Sequence, residues 1–240
     1  MSAAARAAIT GGLLSLVLGA PAAAAPADPL APTPRSSHIA RIVRPTLGHV
    51  NPDGASPVRV RLRTFADWGH GPVGLMVLGS HTAPSGRLWL RVAVPRRPNG
   101  SSVWVDRDAV QLLRTQWRVR ISLAQRRLTV LRAGRAVRST RVVIGAPGTP
   151  TPRGRFAVYE RVRRPRGAVI GPWALHLTAY SGVLHSYDGG PGRIALHGRA
   201  GGLLADPLGS ARSHGCVRMP NALVRWLARR LRGGVPVDIR

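Results

Sequence analysis

Short runs in which apolar and polar residues alternate dominate the chain after residue 40, and a period of two is what a strand with one buried face requires. In the stretch 41–113 the runs VRVRLRT (Val58–Thr64), GLMVLGS (Gly74–Ser80), RLWLRVAV (Arg87–Val94) and SSVWV (Ser101–Val105) are separated by turn signals such as APSG and RRPNG. Strands this short and this closely spaced predict a small all-β unit. A second block runs from Thr115 to Arg240. Its opening, WRVRISLAQRRLTVLRAGRAVRSTRVVIG (Trp117–Gly145), predicts three consecutive strands, with Val119, Ile121 and Leu123 on one face and Arg118, Arg120 and Ser122 on the other. RAGR (Arg132–Arg135) supplies the hairpin turn. TPTPRGRFAVYE (Thr149–Glu160) adds a proline-rich turn and another strand. The period then changes: Leu223, Val224, Leu227 and Leu231 form one helical stripe, with Asn221 as N-cap and Gly233 as the stop. VPVDI (Val235–Ile239) closes the chain as a strand whose Pro236 points to an edge or an end position. The prediction is a mainly β, mostly antiparallel sandwich or barrel with one C-terminal helix, preceded by the smaller β unit.

The residues before these blocks carry a different pattern. Met1–Ala25 places Arg6 ahead of the apolar run ITGGLLSLVLGA (Ile9–Ala20) and the small residues PAAAA, the layout of a secretory signal peptide. The apolar run is short for a membrane span, and a retained anchor is the alternative. Residues 26–40, opening on PADPLAPTPRSS, are expected to be a linker.

Charge changes the picture less than its size suggests. All 36 basic residues are arginine, and with 9 acidic residues the net charge is +27. Such a surface attracts polyanions. The arginines are spread along the whole chain with no aromatic-and-basic run, aromatic residues make up 5%, and no nucleic-acid module is recognisable. The expected partner is an anionic cell wall, with no nucleic acid and no stable membrane span after signal cleavage. The lack of lysine excludes serine enzymes built on a Ser-x-x-Lys element.

Candidate chemistry centres on Cys216, the single cysteine, in SARSHGCVRM (Ser210–Met219). In an exported protein an unpaired cysteine is a partner for an intermolecular disulfide, a buried small hydrophobe, or a reactive thiol. The neighbours favour the thiol: Gly215 permits unusual torsions and close approach to the main chain, while His214 and Arg218 add positive charge expected to favour the thiolate. A base is available in His197, which follows the apolar run RIAL and precedes Gly198, nineteen positions before the cysteine. The carboxylates of this block, Glu160, Asp188, Asp206 and Asp238, have no position that marks one as the orienter of an imidazole, so a backbone carbonyl, Gly198 the nearest, is expected in that role. The N–H groups of Gly215 and Cys216 are the expected oxyanion donors. No metal and no cofactor are required.

ALHG, fifteen residues (Gly198–Arg212), then SHGCVRM, together with TPTPRGRF and GGVPVDI, resemble the L,D-transpeptidase catalytic domain (YkuD-like) family over about Gln116 to Ile239. The resemblance implies an L,D-transpeptidase-like β-sandwich acting on peptidoglycan stem peptides outside the cytoplasmic membrane, in the cell wall or a periplasm-like space. It makes Cys216 the nucleophile and His197 the base, matches Gly198 to the backbone orienter, and completes the signature with Ser213, His214, Gly215 and Arg218. The implied reaction passes through a cysteine thioester, releases D-alanine and forms 3-3 cross-links. Ser213, Arg218, Tyr180 and Tyr187 are the candidate substrate contacts, with His185 a further one in the Gly-rich segment before His197. The segment WLRVAVPRRPNGSSVWV resembles SH3-like envelope modules, which assigns 41–113 to a small SH3-like β domain and 115–240 to the catalytic domain. Alternatives are an L,D-carboxypeptidase using water as acceptor, a zinc enzyme holding metal on His197, His214 and Cys216, and a non-catalytic Arg-rich protein binding cell wall or nucleic acid.

Overall fold

The structure, a computed structural model, describes residues 28–240; the expected signal peptide over 1–25 lies outside the described residues. The described residues are mainly β with one α-helix, as the patterning predicts. Strands β1 (Ser37–Ile42), β2 (Thr46–His49), β3 (Val58–Leu62), β4 (Gly74–Thr82), β5 (Leu88–Ala93), β6 (Ser102–Asp106) and β7 (Val110–Thr115) form one sheet in the order β3-β2-β6-β5-β4-β1-β7. After them come β8 (Trp117–Ser122), β9 (Arg127–Arg132), β10 (Arg135–Arg141), β11 (Ile144–Gly145), β12 (Gly154–Arg163), β13 (Trp173–Tyr180), β14 (Arg193–His197), β15 (Ala211–Ser213), β16 (Val217–Arg218), α1 (Asn221–Arg230) and β17 (Pro236–Ile239). The second sheet runs β10-β9-β8-β17-β12-β13-β14-β16, and β11 pairs β15 apart from it.

Alternation explains how the second sheet encloses a core. Val119 and Ile121 of β8, Leu128 and Val130 of β9, Leu175 and Leu177 of β13, and Leu196 of β14 all enter one apolar cluster, which Val224, Leu227 and Leu231 of the helical stripe complete. β12 joins the two halves: Gly154–Ala157 pair with β17, and Val158–Arg163 pair with β13 across a register shift. Ala133 and Gly134, at φ 50° and 82°, make the β9–β10 turn, both residues taking the positive φ of the hairpin type that matches strand twist.

The first sheet has its own core, and Met76, Ala93 and Ala157 form a small apolar contact between the two sheets. Contact is close: a Cβ on Gly74 would lie 2.6 Å from Gly233 O.

Several expectations are corrected. The linker expected over 26–40 ends sooner, because Ser37–Ile42 is strand β1, held between β4 and β7. Arg118, on the face opposite Val119 and Ile121, is buried there: it donates to Asp238 Oδ2 at 2.7 Å and to Thr33 O at 2.8 Å, tying the segment before β1 to the second sheet. Pro236 takes the end position and not the edge, opening a strand that lies between β8 and β12. The helix stops at Arg230 with Leu231 as its C-cap, ahead of Gly233, and Pro220 occupies the N-cap in place of Asn221.

Candidate active site

β14 and β16 run in parallel, with Leu196 opposite Val217 and His197 opposite Arg218. Leu196 and Val217 point into the core, so Ala195 and His197 face the other side of the sheet. Cys216, one residue before β16, comes to lie beside Ala195, whose N–H donates to its Sγ at 3.3 Å. The histidine ends β14 and the cysteine immediately precedes the neighbouring β16, at one end of the sheet order. Among the described residues no hydrogen bond joins them directly. His197 is 5% exposed and its Nδ1 is 2.7 Å from Gly198 O, the contact that fixes the ring when Nδ1 carries the proton.

Burial sets the protonation states. It lowers the His197 pKa to about 4, helped by Arg218 and opposed by the Gly198 carbonyl. It raises that of the Cys216 thiol, opposed by the Ala195 N–H and by Arg218. At neutral pH the resting pair is therefore a neutral thiol beside a neutral imidazole. Arg218 favours the thiolate in the expected direction, but burial outweighs it; Arg218 is also bound to Asp206, and His214 is exposed. Iodoacetamide should alkylate Cys216 at a rate that climbs with pH around a midpoint above the ~8.5 of a free cysteine, with no step near about 6.5, since His197 stays neutral through that range. A midpoint under about 7 would contradict the assignment.

The loop before Cys216 is braced from within. Gly215 adopts φ 112°, a conformation side chains oppose. Ser213 Oγ donates to Cys216 O at 2.6 Å and accepts from Gly215 N–H at 3.2 Å. Thr151 Oγ1 donates to Gly215 O at 2.8 Å and Thr149 Oγ1 to Ser213 O at 3.1 Å, which gives the TPTP segment its task. Ser213 and Arg218, expected as substrate contacts, are 1% and 6% exposed, and their hydrogen bonds place them in the framework of the loop. The Gly215 N–H, expected as an oxyanion donor, is occupied by Ser213.

Sequence reasoning missed two supports. Asn221 is not a cap: its amide accepts from Arg199 N–H and donates to Arg199 O, both at 2.9 Å. It also fills the space a Cβ on Gly198 would need, so it positions the carbonyl that faces His197. The second support comes from the first sheet. Glu160, on β12, accepts from the N–H groups of Trp68 and Gly69 at 3.1 and 2.9 Å and pairs with Arg193 at 3.1 Å. Trp68 then stands edge-on to His176, with ring centroids 5.1 Å apart, and His176 is the register partner of Ala195. Nothing in the local sequence around Trp68 marks it, because its partners are about ninety residues away.

The segment 181–192 reaches the loop before Cys216 at His214. Tyr187 stacks on His214 at 4.9 Å between centroids, with its hydroxyl 3.2 Å from His214 Nδ1; His185 is exposed on the same segment. Both ends of the segment are held from the β5–β6 turn, where Arg97 donates to Ser181 O at 2.6 Å and Leu184 O at 3.1 Å at one end and to Pro191 O at 3.4 Å at the other. Tyr180 is buried there, its hydroxyl donating to Pro95 O at 2.9 Å and its backbone paired with Asn99, so it anchors the segment. Among the described residues no three His, Cys, Asp or Glu side chains converge to hold a metal ion.

Residues 116–239 match the L,D-transpeptidase catalytic domain family, YkuD. Solved structures similar to this chain include an Enterococcus faecium L,D-transpeptidase with a cysteine-to-serine substitution, at 19% identity and TM-score 0.40, covering 52% of this chain and 49% of that one. The chain thus spans about half the length of that protein. An L,D-transpeptidase from Mycobacterium smegmatis matches at 16% identity and TM-score 0.41, covering 67% of this chain and 91% of that one. L,D-transpeptidase 3 from Mycobacterium tuberculosis, in complex with a faropenem-derived adduct, matches at 15% identity and TM-score 0.42, covering 70% and 91%. No curated protein sequence matches the chain.

Proposed function

This chain belongs to the L,D-transpeptidase catalytic domain family, and on that premise we propose that it is a cysteine-dependent peptidoglycan L,D-transpeptidase that joins stem peptides through 3-3 cross-links. The pairing of β14 with β16, which brings Cys216 to Ala195 and His197 to Arg218, is the observation that carries this reading.

The mechanism starts from the neutral pair. As Sγ attacks the carbonyl carbon of the bond before a terminal D-alanine, the thiol proton passes to Nε2 of His197, and the Gly198 carbonyl steadies the imidazolium through Nδ1–H. The Cys216 N–H is the donor left for the oxyanion, since Ser213 engages that of Gly215. The imidazolium gives its proton to the departing amine, D-alanine leaves, and a thioester remains. The side-chain amine of a second stem, losing its proton to His197, then attacks the thioester, and the returning proton restores the thiol. Tyr187 and His214 at the mouth are the substrate contacts in this scheme. No cofactor takes part.

The same reading places the protein outside the cytoplasmic membrane, at the anionic cell wall, with a signal peptide over 1–25, an SH3-like module over 41–113 and the catalytic domain over 115–240. Among the described residues no helix is long and apolar enough to cross a membrane. The test is incubation of the purified protein with tetrapeptide-stem muropeptides, followed by mass spectrometry. Cross-linked dimers are expected, and exposure to faropenem, from which the adduct in one solved relative derives, should leave a covalent mass increase at Cys216. Free tripeptide without dimers would replace the transpeptidase with an L,D-carboxypeptidase; neither product would overturn both.

A further inference from the structure

Arginines that are far apart in the sequence meet on a surface away from Cys216. Arg114, Arg132, Arg230 and Arg232 rim a cavity of about 420 Å³ whose lining includes Ile39, Trp117 and Val235. Trp117 and Trp226 meet edge to face beside it, with centroids 5.5 Å apart and planes at 88°. Guanidinium groups lie over these rings: Arg132 over Trp117 at 5.5 Å, Arg138 and Arg230 over Trp226 at 4.8 and 4.2 Å. The chain shows no aromatic-and-basic run, yet the fold builds such a cluster from β7, β8, β9, β10 and the end of α1.

None of Arg114, Arg132, Arg138, Arg230 or Arg232 forms an ion pair among the described residues. Carboxylates are available elsewhere, where arginines such as Arg118, Arg193 and Arg218 are each paired. Five like charges gathered at one place repel one another, and an anion laid among them relieves that repulsion and releases its own counterions. Stacking on tryptophan fixes the guanidinium planes in advance, so their forked donors lose less freedom when they meet a phosphate.

We propose that this cluster docks an anionic cell-wall polymer linked by phosphodiesters and lacking bases. The aromatic rings decide against single-stranded nucleic acid, whose binders need open ring faces for bases to stack on; here guanidinium groups cover those faces. The cavity supplies room for a phosphate and its linking alcohol, with the arginines along its rim.

The experiment measures binding of a poly(glycerol phosphate) chain to the intact protein by titration calorimetry over a range of salt. Arg132→Ser, Arg138→Ser and Arg230→Ser combined should weaken binding by about tenfold or more and flatten the salt dependence. The triple variant Arg59→Ser, Arg61→Ser and Arg91→Ser, which removes the same charge from the exposed first sheet, should lose no more than about threefold. Equal losses in the two variants would reduce the effect to net charge and overturn the proposal. Tighter binding of a single-stranded DNA of matched phosphate number would overturn it in favour of nucleic acid. Alkylation of Cys216 at the wild-type rate in both variants shows that the fold is intact and keeps the outcome separate from the catalytic reading.

Discussion

Cys216→Ser is expected to lower the rate of dimer formation from muropeptides by roughly 10⁴-fold or more. The reason lies in the base. His197, with its pKa pulled to about 4 by burial, can accept a proton from a thiol as the sulfur begins to bond to carbon, but it is far too weak to take one from a serine hydroxyl. The substitution changes one atom in a partly buried site, so thermal stability should move by no more than about 1 kcal/mol. Mass spectrometry after exposure to faropenem gives the second readout, with no adduct expected. Retention of more than about a tenth of the wild-type rate would remove Cys216 from the chemistry.

Glu160→Ala should be the most costly single change to stability. The Glu160 and Arg193 side chains are 2% and 12% exposed, and removing the carboxylate leaves a buried guanidinium without its partner and the N–H groups of Trp68 and Gly69 without their acceptor. Breaking a buried pair from one side costs about 3–5 kcal/mol, which lowers the melting temperature of a chain this size by roughly 6–20 °C. Glu160→Gln keeps an acceptor oxygen for the two N–H groups and should fall between the alanine variant and the wild type. Calorimetric scanning of the three proteins checks the order. A loss below about 1 kcal/mol for the alanine variant would mean that the loop around Trp68 is not fastened through this carboxylate.

What the sequence reveals and what it hides divide along the range of the interactions. Alternation in WRVRIS and RLTVLR places Val119, Ile121, Leu128 and Val130 in the core because the rule needs only neighbouring residues. The position of His197 at a strand end and the glycine before Cys216 are local features of the same kind. Arg118 fails the same rule, since the solvent face of β8 is covered by a segment more than eighty residues away, and Asp238 neutralises its charge. Asn221 has the residue type of a cap, but its amide is engaged by the Arg199 backbone. The tryptophan and arginine cluster is invisible in the linear order for the same reason: Trp117 and Trp226 stand 109 positions apart and meet only in the fold.

The grip of Arg97 and Asn99 on both flanks of Tyr187 bears on how this protein can be re-engineered. An excised unit starting at Thr115 would carry the cysteine and the histidine while leaving behind the handle that holds the segment lying against His214. Grafting such a cassette onto a foreign partner should therefore preserve the thiol and forfeit control over what reaches it, unless the turn between β5 and β6 travels with it.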